Sequence, residues 1–318
     1  MEGKIERKRV WFFIGFAFGI AWTVDLVIYL TGGLSDLGVG SLAWILLVVS
    51  MAAPSLAHIL TRLVTGEGWR DLYLRPRFRE GWRLWAVAWV GTPVLILIGT
   101  GLFFALFPQY LDSDLSSVQA LLNQSAQSTG SPLPIGPATF VLIQIVQAIL
   151  LAPVVNGVAT FGEEFGWRAY LLPRLLPLGG RKAVFLLGIV WGVWHWPVIA
   201  MGYNYGSGYP GAPWTGMLAM AWFTIIASVF LAWLTLRAGS VWPAVIAHAS
   251  LNGLAAIGPL LAQGQPNLLL GPTAVGVVGS LPFAALALWL LWRSPVFSEY
   301  RLPNHQPSSP AKPAHHAA

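Results

Sequence analysis

Residues 183–236 read AVFLLGIVWGVWHWPVIAMGYNYGSGYPGAPWTGMLAMAWFTIIASVFLAWLTL, and no Asp, Glu, Lys or Arg occurs among them. The stretch 238–292 is equally free of charge. A helical bilayer crossing takes about 20 apolar residues, so each stretch has room for two crossings. Barrel strands need only about 9–11 residues each, far fewer than these runs provide. Hydrocarbon offers no water to unsatisfied backbone groups, and helices satisfy them within one segment. The stretch therefore decides the fold class: an all-α, polytopic transmembrane helical bundle.

The whole chain agrees. Of its 318 residues 56% are hydrophobic and only 9% are charged, against about 25% charged in an ordinary soluble protein. Its mean hydropathy is +0.66. Those figures exclude a soluble globular enzyme and a disordered chain. There is no cysteine, which excludes disulfides, thiolate metal sites and cysteine nucleophiles. About eight spans are expected, at 10–31, 41–63, 84–107, 137–174, 183–201, 214–236, 241–263 and 272–292. The stretch 137–174 is too long for one upright helix, so a kink is expected near Pro153 or Asn156 and Gly157. The first apolar run reads as a retained anchor. One transmembrane domain, 1–294, is expected, with an unstructured cytoplasmic tail over 295–318. His315 and His316 in that tail read as adventitious.

Net charge is +6, which in a soluble chain would suggest nucleic acid. Here seventeen of the eighteen basic residues fall before span one or in alternate loops, and only Arg168 lies within a span. The opposite loops carry Asp36, Asp112 and Asp114, or no charge. By the positive-inside rule both termini are expected to be cytoplasmic. The basic balance is a topology signal, and no nucleic-acid partner is expected. The loop 108–136 is polar and reads as an external excursion with a short amphipathic helix near Leu115 to Leu122.

Ionisable groups inside spans are expensive and are functional candidates by default. Glu163, Glu164 and Arg168 sit together in Phe161-Gly-Glu-Glu-Phe-Gly-Trp-Arg-Ala-Tyr-Leu-Leu-Pro-Arg174. Glu164 and Arg168 are four apart in the favourable order for a helical pair, leaving Glu163 without its own counter-ion. His195 follows the small-residue pair Gly188 and Gly192, which permits a close neighbouring helix. His248 and Asn252 share one helix face. Each group alone is equally a packing or hydrogen-bonding device. Counting from Arg174, Lys182 and Arg237, however, Glu163, His195 and His248 lie eleven, thirteen and eleven residues in. At the helical rise all three reach a common depth, roughly 16–20 Å from one face.

These segments resemble the CPBP intramembrane protease family, which includes the CAAX prenyl endopeptidases and bacterial immunity-type (Abi-like) proteins. The family pattern is Glu-Glu-x-x-x-Arg, an aromatic-x-x-x-His, and His-x-x-x-Asn or Asp. Here it is Glu163-Glu164 with Arg168, Trp191 with His195, and His248 with Asn252. The resemblance covers about 137–262 and looks like a bacterial branch, implying a bacterial plasma membrane. Trp191 stands where Phe is commonest, a departure expected to affect packing more than chemistry.

The resemblance implies peptide-bond hydrolysis within the membrane, with membrane lipids and a membrane-associated, sometimes prenylated, protein or peptide as partners. Glu163 would activate water with His195 positioning it. His248 and Asn252 would stabilise the oxyanion, and Glu164 with Arg168 would orient the helix. A rival chemistry makes Glu163, His195 and His248 ligands of Zn with water in the open position; spacing does not separate the two. Rival functions are a non-catalytic scaffold or immunity protein and, with less support, a transporter using a Glu–His relay. A Ser207–His195 dyad is disfavoured because Ser207 sits in a Gly- and Tyr-rich loop. His58 and Asp25 read as interfacial or packing residues. Gln144, Gln147 and Asn156 read as interhelical hydrogen-bonding groups.

Overall fold

The computed structural model describes residues 6–131 and 133–298. It is all-helical among the described residues apart from one isolated bridge between Leu111 and Ala262. The long helices are α1 (Arg7–Leu30), α2 (Leu42–Val64) and α3 (Phe78–Leu106). A loop helix α4 (Ser116–Thr129) follows. Next come α5 (Pro137–Leu150) and α6 (Ala152–Leu178), then α7 (Gly180–Trp194) and the short α8 (Trp196–Ala200). The chain continues through α9 (Trp214–Ala238), α10 (Trp242–Leu260) and α11 (Leu281–Arg293). Several of these helices are long and apolar enough to cross a bilayer, and the chain is an integral membrane protein.

The expectation of about eight spans is not reached on length. Five helices qualify, or six if the bent pair α5–α6 counts as one. The stretch expected at 183–201 breaks at His195, between α7 and α8. That expected at 272–292 is helical only from Leu281. Its first part is Gly- and Pro-rich and folds back irregularly against α3. There a Cβ on Gly99 would lie 2.1 Å from the Gly279 carbonyl oxygen. Irregular backbone at membrane depth survives where protein satisfies it. Here Thr100 Oγ1 donates to the Pro272 carbonyl at 3.0 Å and Tyr205 Oη to the Val275 carbonyl at 2.9 Å.

The kink lies close to its expected place. α5 and α6 meet at 49° around Leu151, just before Pro153. A proline inside a helix removes an N–H and pushes on the carbonyl four residues back. That carbonyl, Ile149 O, accepts the Trp89 indole N–H at 2.8 Å. The helix expected in the loop 108–136 also appears, as α4, and Val118 and Leu122 bury against Val141 of α5. The expected tail is helical at Pro295–Ser298, where Phe297 is buried. Residues 299–318, with His315 and His316, lie outside the described residues.

α9 forms the heart of the bundle, the most buried of the candidate spans. α7 packs on it through Gly188 and Gly192, as the small-residue pair predicts. A Cβ on Gly188 would lie 2.4 Å from Ile225 Cα, and one on Gly192 2.8 Å from Ala221 Cα. Thr224 of α9 donates to the freed approach, its Oγ1 lying 2.9 Å from the Gly188 carbonyl.

Candidate active site

Helix α6 brings both glutamates inside. Gly162 and Gly166 frame them and seat α6 directly on α2, since added Cβ atoms would lie 2.6 Å from Met51 O and 2.4 Å from Pro54 Cβ. Consecutive residues are turned about 100° apart on a helix, so the two carboxylates meet different partners. Glu163 is 2% exposed and Glu164 0%. The helix widens into a π-type turn at Trp167–Leu171, a distortion frequent at functional sites.

Glu164 forms the expected pair with Arg168, whose Nη1 donates to Oε1 at 2.9 Å. Both side chains are fully buried. Arg168 Nη2 also donates to Ser228 Oγ of α9 at 3.3 Å, and its Cζ stacks 4.2 Å from the Trp191 ring. The same Glu164 Oε1 lies 2.8 Å from His248 Nδ1. One carboxylate thus ties three helices: α6 itself, α9 through Arg168, and α10.

Glu163 forms no salt bridge among the described residues. Its partner is the indole of Trp191, whose Nε1 donates to Oε2 at 2.7 Å. Trp191 also packs edge-on to His248, with ring centroids 5.3 Å apart, and lies 5.8 Å from the His195 ring. The Phe-to-Trp departure therefore supplies a hydrogen bond to the candidate base, contrary to the expectation that it would affect mainly packing.

His195 closes α7. Its Nδ1 lies 2.8 Å from the Trp191 carbonyl. A carbonyl only accepts, so Nδ1 carries the proton and Nε2 is left with its lone pair. α10 carries His248 against α6, where Gly253 is so close that a Cβ would sit 2.4 Å from Ala152 Cβ. Asn252, one turn further, is exposed and lines the cavity without reaching the carboxylates.

Glu163, His195, His248 and Asn252 line one cavity of about 570 Å³. The common depth expected from counting residues is thus met by direct contacts between α6, α7 and α10. A metal centre is not assembled in the same way. Among the described residues no group of three or more His, Asp and Glu side chains is placed to hold an ion. The Trp191 ring packs against both imidazoles and holds Glu163 Oε2 by its N–H. The set Glu163, His195 and His248 does not fit zinc as it stands, and no step below is routed through a metal.

Other candidates resolve simply. Ser207 is exposed in the loop after α8. His58 is a packing residue: its Nδ1 lies 2.9 Å from Phe165 O and its Nε2 accepts from Arg62 Nε at 2.6 Å. Asn156 Nδ2 reaches Ala249 O only at 3.5 Å, while Gln144 and Gln147 line a more open groove of about 820 Å³. Two features escaped sequence reasoning. The Gly162/Gly166 pair was visible in Gly-Glu-Glu-Phe-Gly as a small-xxx-small pattern. Asp25 lines the same cavity as Glu163, signalled only by its spacing from Ala17 and Ala21.

The site is thus a set of buried carboxylates and imidazoles around one cavity in an all-helical membrane bundle. Residues 139–254 match the family described as Rce1-like, type II CAAX prenyl endopeptidase. That segment runs from before Glu163 to beyond Asn252, and over it the chain is similar to the CAAX proteases. No curated protein matches the chain.

Proposed function

We propose that this chain is an intramembrane endopeptidase that hydrolyses peptide bonds of membrane-associated protein or peptide substrates. The observation that carries the reading is Glu163. It is a carboxylate on the catalytic cavity, held through Oε2 by Trp191 with Oε1 left for water.

In this reading water binds between Glu163 Oε1 and His195 Nε2. Glu163 takes one proton as the oxygen attacks the scissile carbonyl, a general-base role. The carbonyl oxygen becomes an oxyanion, stabilised by the Asn252 Nδ2 amide and by Nε2–H of His248 in its imidazolium form, the Nδ1–H of that ring being accepted by Glu164. As the C–N bond breaks, the proton on Glu163 passes to the leaving amine. Glu164 and Arg168 touch no substrate and act by positioning, since Glu164 holds His248 by Nδ1. Asn252 points to the cavity as a donor for the substrate rather than for the protein. A prenyl group is one permissible attachment of the substrate, and lipids surround the bundle.

We place both termini in the cytoplasm on the strength of the basic loops, and the protein in a bacterial plasma membrane on the resemblance of its motifs to a bacterial branch. A scaffold would have no need of a base, two imidazoles and a cavity together, and is not favoured.

The test is cleavage of membrane-tethered peptides by purified protein, read by mass spectrometry. Replacing Glu163 with Gln, or His195 or His248 with Ala, should lower kcat by about 10²–10⁴ while helical content stays. Unchanged cleavage in folded Glu163→Gln would overturn the assignment.

A further inference from the structure

The buried face of α1 is a stripe of Phe13, Ala17, Ala21, Asp25 and Ile28. Four of these are apolar, and the fifth is an acid only 3% exposed. Asp25 Oδ1 is buried with no hydrogen-bond partner, a costly state for a carboxyl oxygen in the absence of a ligand. The same side chain lines the cavity that holds Glu163, His195 and His248. Among the described residues no Lys or Arg lines that cavity, and Arg168 is committed to Glu164. The cavity thus presents two carboxylates and no fixed cation.

The level of Asp25 follows from α1. Trp22 Nε1 donates to the Trp194 carbonyl at 3.1 Å, next to His195. Asp25 lies one helical turn beyond Trp22, about 5 Å further along the bundle. An extended peptide covers that distance in about two residues.

We infer that Asp25 forms a specificity subsite for a cationic side chain, Lys or Arg, about two residues from the scissile bond of the substrate. The inference rests on the endopeptidase reading and names its substrate class. An ammonium or guanidinium group in the cavity supplies the counter-charge that the Asp25 side chain lacks among the described residues, in surroundings where charge-assisted hydrogen bonds are strong. The same electrostatics disfavour a free C-terminal carboxylate, such as ends a C-a-a-X tail. The preferred bond is therefore internal to a longer chain.

The experiment uses full-length protein in nanodiscs and blocked peptides carrying Lys, norleucine or Glu at positions two residues either side of the cleaved bond. Binding is read by tryptophan fluorescence in Glu163→Gln, and turnover in the unaltered protein. The Lys peptide should bind at least tenfold tighter than norleucine, with Glu weakest, and Asp25→Asn should close the gap. Equal binding of Lys and norleucine, or a gap that survives Asp25→Asn, overturns the subsite. If Asp25→Asn does not fold, the Lys-against-norleucine comparison with Asp25 intact decides alone. Turnover without charge preference removes the subsite and leaves the peptidase. Charge-selective binding without turnover of any peptide removes the peptidase and leaves the subsite.

Discussion

Trp191 donates its indole N–H to Glu163 across the α6–α7 interface, 2.7 Å from Oε2. The bond fixes one carboxylate oxygen and leaves the other to the cavity. It makes an aromatic position, which packing alone would leave to any large ring, part of the geometry of the candidate base.

Trp191→Phe should therefore keep the fold and damage the chemistry. A hydrogen bond to a charged group contributes roughly 1.5–3 kcal/mol, and misplacing the base should lower kcat by about tenfold with KM little changed. Trp191→Leu also removes the stacking on Arg168 and should melt at lower temperature than Trp191→Phe. Steady-state kinetics and thermal unfolding in nanodiscs check both; equal kcat for Trp191→Phe and the parent would refute the positioning role.

Glu164 and Arg168 should behave as one unit. Arg168→Ala leaves a fully buried carboxylate whose only remaining partner is His248, and breaking such a pair costs about 3–5 kcal/mol. Adding Glu164→Gln to Arg168→Ala should recover part of that loss, a coupling that a double-mutant cycle reads directly. Arg168→Lys should not rescue, because an ammonium cannot both pair with Glu164 and stack on Trp191. Additive losses would contradict the pair.

Stripping metal should not stop the reaction. The spacing of Glu163, His195 and His248 assembles no ion site among the described residues. Prolonged incubation with a tight chelator, followed by its removal, should leave turnover of the best peptide unchanged. Loss of turnover restored by zinc would replace the metal-free route with the zinc one.

The polar loop 108–136 should be acid-sensitive. Asp112 accepts the backbone N–H groups of Ser117 at 2.7 Å and Ser116 at 3.0 Å, together with the Ser116 hydroxyl at 3.0 Å. These donors, the Ser117 amide foremost, hold its carboxyl below the usual carboxylate range despite its burial. A group lowered on folding stabilises fully above its unfolded value and loses that contribution as pH falls through the folded one. Hydrogen exchange at the start of α4 should accelerate below about pH 4, and Asp112→Asn should abolish the pH dependence. Identical profiles for the two proteins would refute it.

The candidate groups are legible because charge is scarce in this chain. Glu163, Glu164, Arg168, His195 and His248 stand out against uncharged spans, and counting turns puts Glu163, His195 and His248 at one expected depth. What stayed hidden follows from the solvent. In a bilayer both faces of a helix are apolar, so hydrophobic periodicity does not mark the buried side. Asp25 was therefore read as interfacial, and the partner of Glu163 was invisible because an indole N–H carries no charge. The span count failed where Gly271, Gly276 and Gly279 let the backbone fold irregularly within protein, a choice that mean hydropathy does not register.

The two reciprocal bonds between α1 and α7 have a further consequence. Trp22 donates to the Trp194 carbonyl, and Trp194 donates to the Ala17 carbonyl at 3.3 Å. The residue just before His195 is thus clamped to a helix that lies outside the matched segment 139–254. A chimaera that transplants that segment into a relative without its first helix would lose the clamp, together with Asp25. Exchange between relatives would have to move the N-terminal helix and the histidine helix as a pair.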